Sequence, residues 1–224
     1  QKIGYQYAIK NKFDIVALVH GDGQYAPEEL PQLLKNLIDK NGDAIFGSRM
    51  ISKYGALRGG MPLYKFIGNK ILTFAQNYLL NTKLSEFHSG YRIYKIDALK
   101  KIPFFLNSNN FHFDTQIIIQ LVMNQRKILE SSIPTYYGNE ISHVNGLIYA
   151  YNVIKETLKA KLQLKQLLID PKYDVYDNVS DYKPKFGVDS THDIALSKIK
   201  RESKVLDIGS SKGYLAKKLK EDKM

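Results

Sequence analysis

The stretch Asp14-Ile-Val-Ala-Leu-Val-His20-Gly-Asp-Gly-Gln-Tyr25, followed by Pro27-Glu-Glu-Leu30, decides the fold class of this 224-residue chain. Between Asp14 and His20 every residue is apolar, the pattern of a parallel strand buried on both faces. Two glycines then permit a tight bend, and Pro27 sets the first turn of a helix whose positive end receives Glu28 and Glu29. Leu30, Leu33, Leu34, Leu37 and Ile38 give that helix one apolar face. Such a βα unit predicts an α/β protein. Its ligand site is expected at the carboxyl end of the strand, where His20–Tyr25 lies.

Upstream, Lys2 to Asn11 reads as a helix feeding the strand. Downstream the spacing predicts a strand over Asp43–Gly47, a glycine-rich stretch to Gly60, and helical patterning through Pro62–Leu80. A short strand at Gly90–Tyr94 follows, then a helix over Phe113–Asn124, a strand over Lys127–Ile133 and a long helix over Ile148–Leu168. Asp170 to Gly187 is rich in Tyr, Asp, Lys and Pro without periodicity, which marks a linker. Beyond it a second βα unit begins: a helix near Asp193–Lys200, a strand at Lys204–Ile208, a Gly/Ser turn and a helix from Tyr214. The expected organisation is therefore 1–168, a linker 169–189, and a further domain starting at 190.

Composition narrows the chemistry. The chain has no cysteine, so disulfides, thiolate zinc sites and cysteine nucleophiles are excluded and any metal is held by oxygen or imidazole, as expected of a cytoplasmic protein using a hard cation. The net charge is +11, which calls for an anionic partner. Residues 49–101 hold ten Lys/Arg against two Asp/Glu, a net +8. Apolar stretches such as Ile117–Met123 fall far short of the roughly 20 residues that a membrane span requires. A basic chain with 16 tyrosines also suits nucleic acid, but the basic residues accompany other motifs and the tyrosines are scattered, so no nucleic-acid partner is expected.

In the turn after the first strand, Asp22 and the Gln24 amide oxygen are placed to hold Mg²⁺ or Mn²⁺ and leave positions for a diphosphate. An Asp in a glycine-rich turn also serves as a plain turn residue. The order His20-Gly-Asp-Gly-Gln24, Pro27-Glu-Glu-Leu30, Gly47-Ser-Arg49, Arg58-Gly-Gly60, Ser89-Gly-Tyr-Arg92 and Phe111-His-Phe-Asp114 resembles family 2 glycosyltransferases of the dolichyl-phosphate mannosyltransferase type, over about Gly4–Leu168. His20 departs from the family's Asp-x-Asp pattern, which moves more of the metal role onto Asp22.

The resemblance implies a GT-A fold, a nucleotide-diphosphate sugar as donor and a polyprenyl phosphate as acceptor, with a soluble glycan or metabolite as the alternative. Donor or acceptor phosphate is assigned to Asp22, Arg49, Arg58, Ser89 and Arg92, and the metal to Asp22 and Gln24. Arg92 and Asp114 are the catalytic candidates, Asp114 as general base, as a sugar-orienting group or as a helix cap. An isoprenoid acceptor implies peripheral contact with the cytoplasmic face of a membrane. In that setting Met61–Leu80, with Leu63, Phe66, Ile67, Ile71, Leu72, Phe74 and Leu79 among Lys65 and Lys70, lies on the interface; ordinary core packing is the competing reading.

Lys204-Val-Leu-Asp-Ile-Gly-Ser-Ser-Lys-Gly-Tyr-Leu215 resembles the opening motif of S-adenosylmethionine-dependent methyltransferases. The resemblance assigns Asp207, Gly209 and Gly213 to that cofactor and predicts a partial Rossmann-like βα unit. Together the two likenesses predict a window on a larger fusion, with the first nucleotide-binding units of the glycosyltransferase lying upstream.

Overall fold

A computed structural model describes residues 1–138, 144–175, 187, 190–200, 202–208 and 213–223. The chain divides into two compact units, Gln1–Val175 and Tyr176–Met224.

The first unit is mixed α/β. Its elements are α1 (Lys2–Lys10), β1 (Ile15–Leu18), α2 (Leu30–Asp39), β2 (Ala44–Ser48), α3 (Gly55–Arg58), α4 (Leu63–Leu80), β3 (Arg92–Lys95), α5 (Ile96–Lys100), α6 (Phe113–Met123), β4 (Ile128–Ser132) and α7 (Gly146–Leu164). Pro27–Glu29 forms a 3₁₀ turn leading into α2. The four strands make one mixed sheet in the order β1-β3-β2-β4, as a GT-A fold would require of this region. β2 and β4 run parallel, whereas β3 is antiparallel to both β1 and β2.

One expectation is corrected by this topology. The apolar run 15–19 is not a parallel strand covered on both faces: β1 lies at an edge of the sheet, antiparallel to β3, and is only half-buried. An apolar run reports burial, but the partner of a strand is chosen by residues distant in sequence.

Alternation along the central strands builds two cores. Ala44, Phe46 and Tyr94 face one side of the sheet with Ile117, Ile118 and Leu121 of α6, while Ile45 and Ile93 face the other with Leu33 and Leu37 of α2. Helix α6 is buried almost all round, so its polar residues need internal partners. Gln120 exchanges two hydrogen bonds with Asn107, at 2.9 and 2.8 Å, and donates to the Lys172 carbonyl at 2.9 Å. Gln116 donates to Glu156 of α7 at 2.8 Å.

The first unit extends past Leu168. Residues 171–173 form a 3₁₀ turn, and Tyr173 is fully buried with its hydroxyl donating to Glu156 at 2.7 Å, so the start of the expected linker belongs to the core. Burial works to raise the Glu156 carboxyl, but bonds from Lys172, Gln116 and Tyr173 hold it down at about 2.

In the second unit, α8 (Thr191–Lys198) opens with a capping box in which Ser190 and Asp193 satisfy each other's backbone N–H groups. Helix α9 spans Tyr214–Lys223. The expected strand Lys204–Ile208 is not formed: residues 204–207 are coil and Ile208 is in a turn, with Leu206 and Ile208 exposed. A strand is stable only when a neighbour takes up its backbone bonds, and no described residue pairs with this one, so no Rossmann-like βα unit is seen among the described residues.

Candidate active site

The turn Glu86–Arg92 is the hub on which the candidate residues meet. Its backbone and side chains touch four separate elements. Glu86 binds Arg49 at the end of β2, and His88 shares a 2.8 Å hydrogen bond with the Tyr149 hydroxyl on α7. The Gly90 N–H donates to the Tyr25 hydroxyl at 2.8 Å, and the Ser89 and Phe87 carbonyls accept from Arg92 at 2.7 and 3.0 Å. A Cβ on Gly90 would lie 2.5 Å from the His20 ring, so any larger residue there has to push that ring aside. Thus the first strand's turn is pressed against the same loop that carries Ser89 and Arg92.

In that first turn, Asp22 accepts the Gln24 N–H at 3.0 Å through Oδ1, which makes it a turn-forming residue. Its Oδ2 remains directed toward His20 Nδ1, 4.0 Å away, and both side chains are about 40% exposed. Gly23 takes φ +74°, the left-handed conformation that the bend requires. Among the described residues no three His, Asp or Glu side chains converge on one point. His20 and Asp22 Oδ2 are the groups of this turn that could ligate a cation drawing its remaining ligands from a diphosphate and water.

Arg49 is buried, contrary to the picture of a solvated phosphate-gripping guanidinium. Its backbone N–H donates to Glu86 at 2.8 Å, Nε donates to Glu86 at 2.9 Å, and Nη2 donates to the same carboxylate and to the His88 carbonyl. Nη1 donates to the Tyr137 hydroxyl at 2.6 Å. Burial alone would raise the Glu86 carboxyl; the charge and hydrogen bonds of Arg49, with a 2.7 Å bond from Asn69, hold it below its ordinary value. Arg58, by contrast, is exposed in the last turn of α3.

The two glycines after Arg58 let residues 135–137 approach. The Tyr137 N–H donates to the Gly59 carbonyl at 2.7 Å, and the Gln24 carbonyl accepts from the Thr135 hydroxyl and the Tyr136 N–H at 3.0 and 3.1 Å. This strap ties the Asp22 turn to Arg58-Gly-Gly60. A Cβ on Gly59 would meet the Thr135 carbonyl oxygen at 2.1 Å, a backbone atom that cannot turn aside. Gly59→Ala is therefore expected to destabilise the fold by about 2 kcal/mol. Urea unfolding measures this, and an unchanged midpoint would mean the strap has room to move.

Arg92 and Asp114 face each other in the interior. Arg92 Nη1 lies 3.7 Å from Asp114 Oδ1, and neither atom has a hydrogen-bond partner. Around them are the Tyr5 and Tyr94 hydroxyls, which interact with each other, the Thr115 hydroxyl, which meets Tyr149, and the Phe46 ring, whose centroid is 5.4 Å from the guanidinium carbon. Tyr149 sits close enough to feel Arg92, Asp114 and Arg49, and burial pushes its hydroxyl up to about 12. Burial also pushes the His88 imidazole down to about 3, with Glu86 opposing and Arg92 and Arg49 assisting, so His88 is neutral at ordinary pH. Ser89 is buried, its hydroxyl accepting from the Tyr91 N–H at 3.3 Å.

Asp22, Gln24, Arg49, Ser89, Arg92 and Asp114 are thus brought around one turn, with Arg58 joined through the 135–137 strap. Glu86, Tyr25, Tyr137 and Tyr149 were missed in the sequence reading. Glu86 did carry a signal: of the two acids in the basic stretch 49–101, the other, Asp97, is a surface residue. Of the residues assigned to S-adenosylmethionine, Asp207 lies in coil, Gly213 takes φ +70° ahead of α9, and Gly209 falls outside the described residues.

Comparison with known proteins agrees with the geometry. Residues 4–103 match the family described as Glycosyl transferase family 2. The chain is 31% identical over 144 residues to an uncharacterized protein of Methanocaldococcus jannaschii, covering 61% of this chain and 58% of that protein. It is 32% identical over 143 residues to the low-salt glycan biosynthesis hexosyltransferase Agl6 of Haloferax volcanii, covering 61% and 33%. Over 161 residues it is 24% identical to the undecaprenyl-phosphate mannosyltransferase of Micrococcus luteus, covering 69% and 63%. The chain therefore spans between a third and somewhat under two thirds of the length of these relatives. The segment 4–103, which contains the Asp22 turn, Arg49, Arg58 and the Glu86–Arg92 hub, is the part of the chain that is similar to Glycosyl transferase family 2.

Proposed function

We propose that this chain is the sugar-transferring part of a metal-dependent glycosyltransferase that takes a sugar from a nucleotide-diphosphate donor to a polyprenyl phosphate. The observation that carries the reading is the convergence of Asp22, Arg49, Ser89, Arg92 and Asp114 on the turn 86–92, although they come from four separate motifs. Relatives named as a hexosyltransferase and an undecaprenyl-phosphate mannosyltransferase support the reaction class and the acceptor.

Breaking the sugar–diphosphate bond builds negative charge on the leaving diphosphate, and the chain supplies positive groups for it. A divalent cation held by Asp22 with Gln24 and His20 would neutralise part of that charge. Arg58, exposed beside the strap, reaches phosphate oxygens without giving up an internal partner. Arg49 acts from beneath, fixing His88 and Tyr137 while Glu86 balances its charge. Arg92 Nη1 and Asp114 Oδ1 stand 3.7 Å apart, which suits an acceptor phosphate entering beside them. Because such a phosphate is already anionic, Asp114 serves better to orient groups and balance Arg92 than to remove a proton.

Titration of the 224-residue chain with Mn²⁺ and a panel of UDP- and GDP-sugars tests this reading. A ligand at about one hundred times its Kd adds about 2.7 kcal/mol of stability, a rise of roughly 5–10 °C in Tm for a chain of this size. The rise is expected only with metal and nucleotide sugar together, and is expected to vanish in Asp22→Ala. Equal stabilisation of Asp22→Ala would remove the metal role from this turn.

A further inference from the structure

The Arg92–Asp114 pair stands open. A guanidinium and a carboxylate that bond directly close to about 2.7–2.9 Å, whereas Arg92 Nη1 and Asp114 Oδ1 are held 3.7 Å apart in the interior. Arg92 is fixed from its own side, since Nε and Nη2 donate to the Ser89 and Phe87 carbonyls. Asp114 rides on the first turn of α6. The width of the gap is therefore set by whatever ties that turn of α6 to the loop 86–92.

Tyr149 makes the tie. Its hydroxyl lies 2.8 Å from His88 Nδ1 on the loop and meets the hydroxyl of Thr115, the neighbour of Asp114 on α6. The His88 and Tyr149 rings pack edge-on with centroids 5.6 Å apart. The first turn of α7, which carries Tyr149, is itself pinned, because the Asn145 side chain accepts the Leu147 and Ile148 N–H groups. Farther along, Gln116 of α6 donates to Glu156 of α7 at 2.8 Å. Helix α7 thus holds α6 at two points, and one of them is also bonded to the loop.

The direction of the His88–Tyr149 hydrogen bond follows from the other ring nitrogen. His88 Nε2 is buried and has no hydrogen-bond partner among the described residues. A neutral imidazole carries one proton, and a buried N–H without an acceptor costs more than a lone pair without a donor. The proton therefore sits on Nδ1 and is donated to the Tyr149 oxygen, which leaves the Tyr149 O–H to be given toward Thr115. A bond made in this sense fixes both the ring and the hydroxyl.

We propose that Tyr149 is a positioning residue for sugar transfer: oriented by His88, it spaces Asp114 from Arg92 so that Nη1 is not captured by the carboxylate and keeps an N–H for an oxygen of the acceptor. Nη1 carries two hydrogens, so with Tyr94 also against the guanidinium one remains. The inference rests on the sugar-transfer reading and adds to it a residue that lies outside the segment 4–103.

The test is a double-mutant cycle on the 224-residue chain with Mn²⁺, the nucleotide sugar that stabilises it, and undecaprenyl phosphate as acceptor. Tyr149→Phe is expected to lower kcat about tenfold with the KM for the nucleotide sugar unchanged. Tyr149→Phe/Asp114→Asn is expected to lose much less than the product of the two single losses, because the tyrosine acts through the carboxylate. A merely structural role would make the losses multiply. His88→Leu removes the donor that orients the tyrosine and is expected to match Tyr149→Phe, while His88→Asn, which keeps an N–H near the place of Nδ1, recovers part of the loss. A long-range ¹H–¹⁵N spectrum of the unsubstituted chain, with the His88 ring assigned by its disappearance in His88→Leu, is expected to show the proton on Nδ1 and does not depend on any variant of Tyr149 folding. A proton on Nε2, multiplicative losses, or full kcat in Tyr149→Phe beside an active parent would overturn this proposal and leave the sugar-transfer reading standing. No transfer by the unsubstituted chain would overturn that reading and the role of Tyr149 with it.

Discussion

Arg92→Lys is expected to lower kcat/KM for sugar transfer by about 10²-fold or more, the scale seen when one preorganised charge donor is lost from a site. The reason is geometric. The Arg92 guanidinium uses Nε and Nη2 to hold the Ser89 and Phe87 carbonyls, and still presents Nη1 toward Asp114. A lysine ammonium is a single point charge that reaches one of these places at a time, so it either holds the turn or faces the ligand. The loss is expected mainly in kcat if Nη1 meets charge that develops in the transition state, and in KM if it grips the acceptor phosphate from the start. Asp114→Asn separates the roles further. It keeps the shape and removes the counter-charge of a buried guanidinium, so it lowers thermal stability, and it lowers kcat/KM only if the carboxylate also orients the reacting groups. Parent-level turnover by Arg92→Lys, with the fold intact by circular dichroism, would take Arg92 out of the reaction.

Most elements were legible because their cause is local. The apolar stripe of Leu33 and Leu37 and the alternation of Ala44, Ile45 and Phe46 name a helix and a strand whatever lies around them. What was not legible depended on distant partners. The run Ile15–Leu18 reads equally well as a central or an edge strand, and only its pairing with β3 decides. Lys204–Ile208 has the composition of a strand but no neighbour to bond to among the described residues. The arginines are the sharpest case: their burial depends on acids distant in sequence, Glu86 for Arg49 and Asp114 for Arg92. Helix α4 was recognised as a helix from its apolar residues, while the direction it faces follows from Asn69 reaching Glu86, a contact between residues 17 positions apart.

That same contact makes Glu86 the residue on which most of the site depends for its shape. Glu86 is fully buried as a side chain, carries the countercharge of Arg49, and accepts from three Arg49 nitrogens and from Asn69. Glu86→Ala is expected to destabilise the first unit by about 3–5 kcal/mol, because removing one partner leaves an uncompensated charge where water cannot reach it. Glu86→Gln keeps an acceptor for Asn69 but not the charge, and is expected to fall somewhat below that loss. Replacing both partners, Glu86→Met with Arg49→Met, is expected to be less damaging than Glu86→Ala alone, since no buried charge is then left unpaired. Asp97→Ala supplies the contrast within the same basic stretch: its side chain is 92% exposed, and its removal is expected to change stability by no more than about 0.5 kcal/mol. Urea unfolding of the four proteins measures all of this. If Glu86→Ala matched Asp97→Ala, the Arg49 guanidinium would have to find water or another acceptor on opening, and the turn 86–92 would not be held from beneath. If the expected order is seen, Arg49 is a buried support: its charge is neutralised within the protein and its donors keep His88, Tyr137 and the glycine-rich strap in the positions from which Arg58 and Arg92 can act.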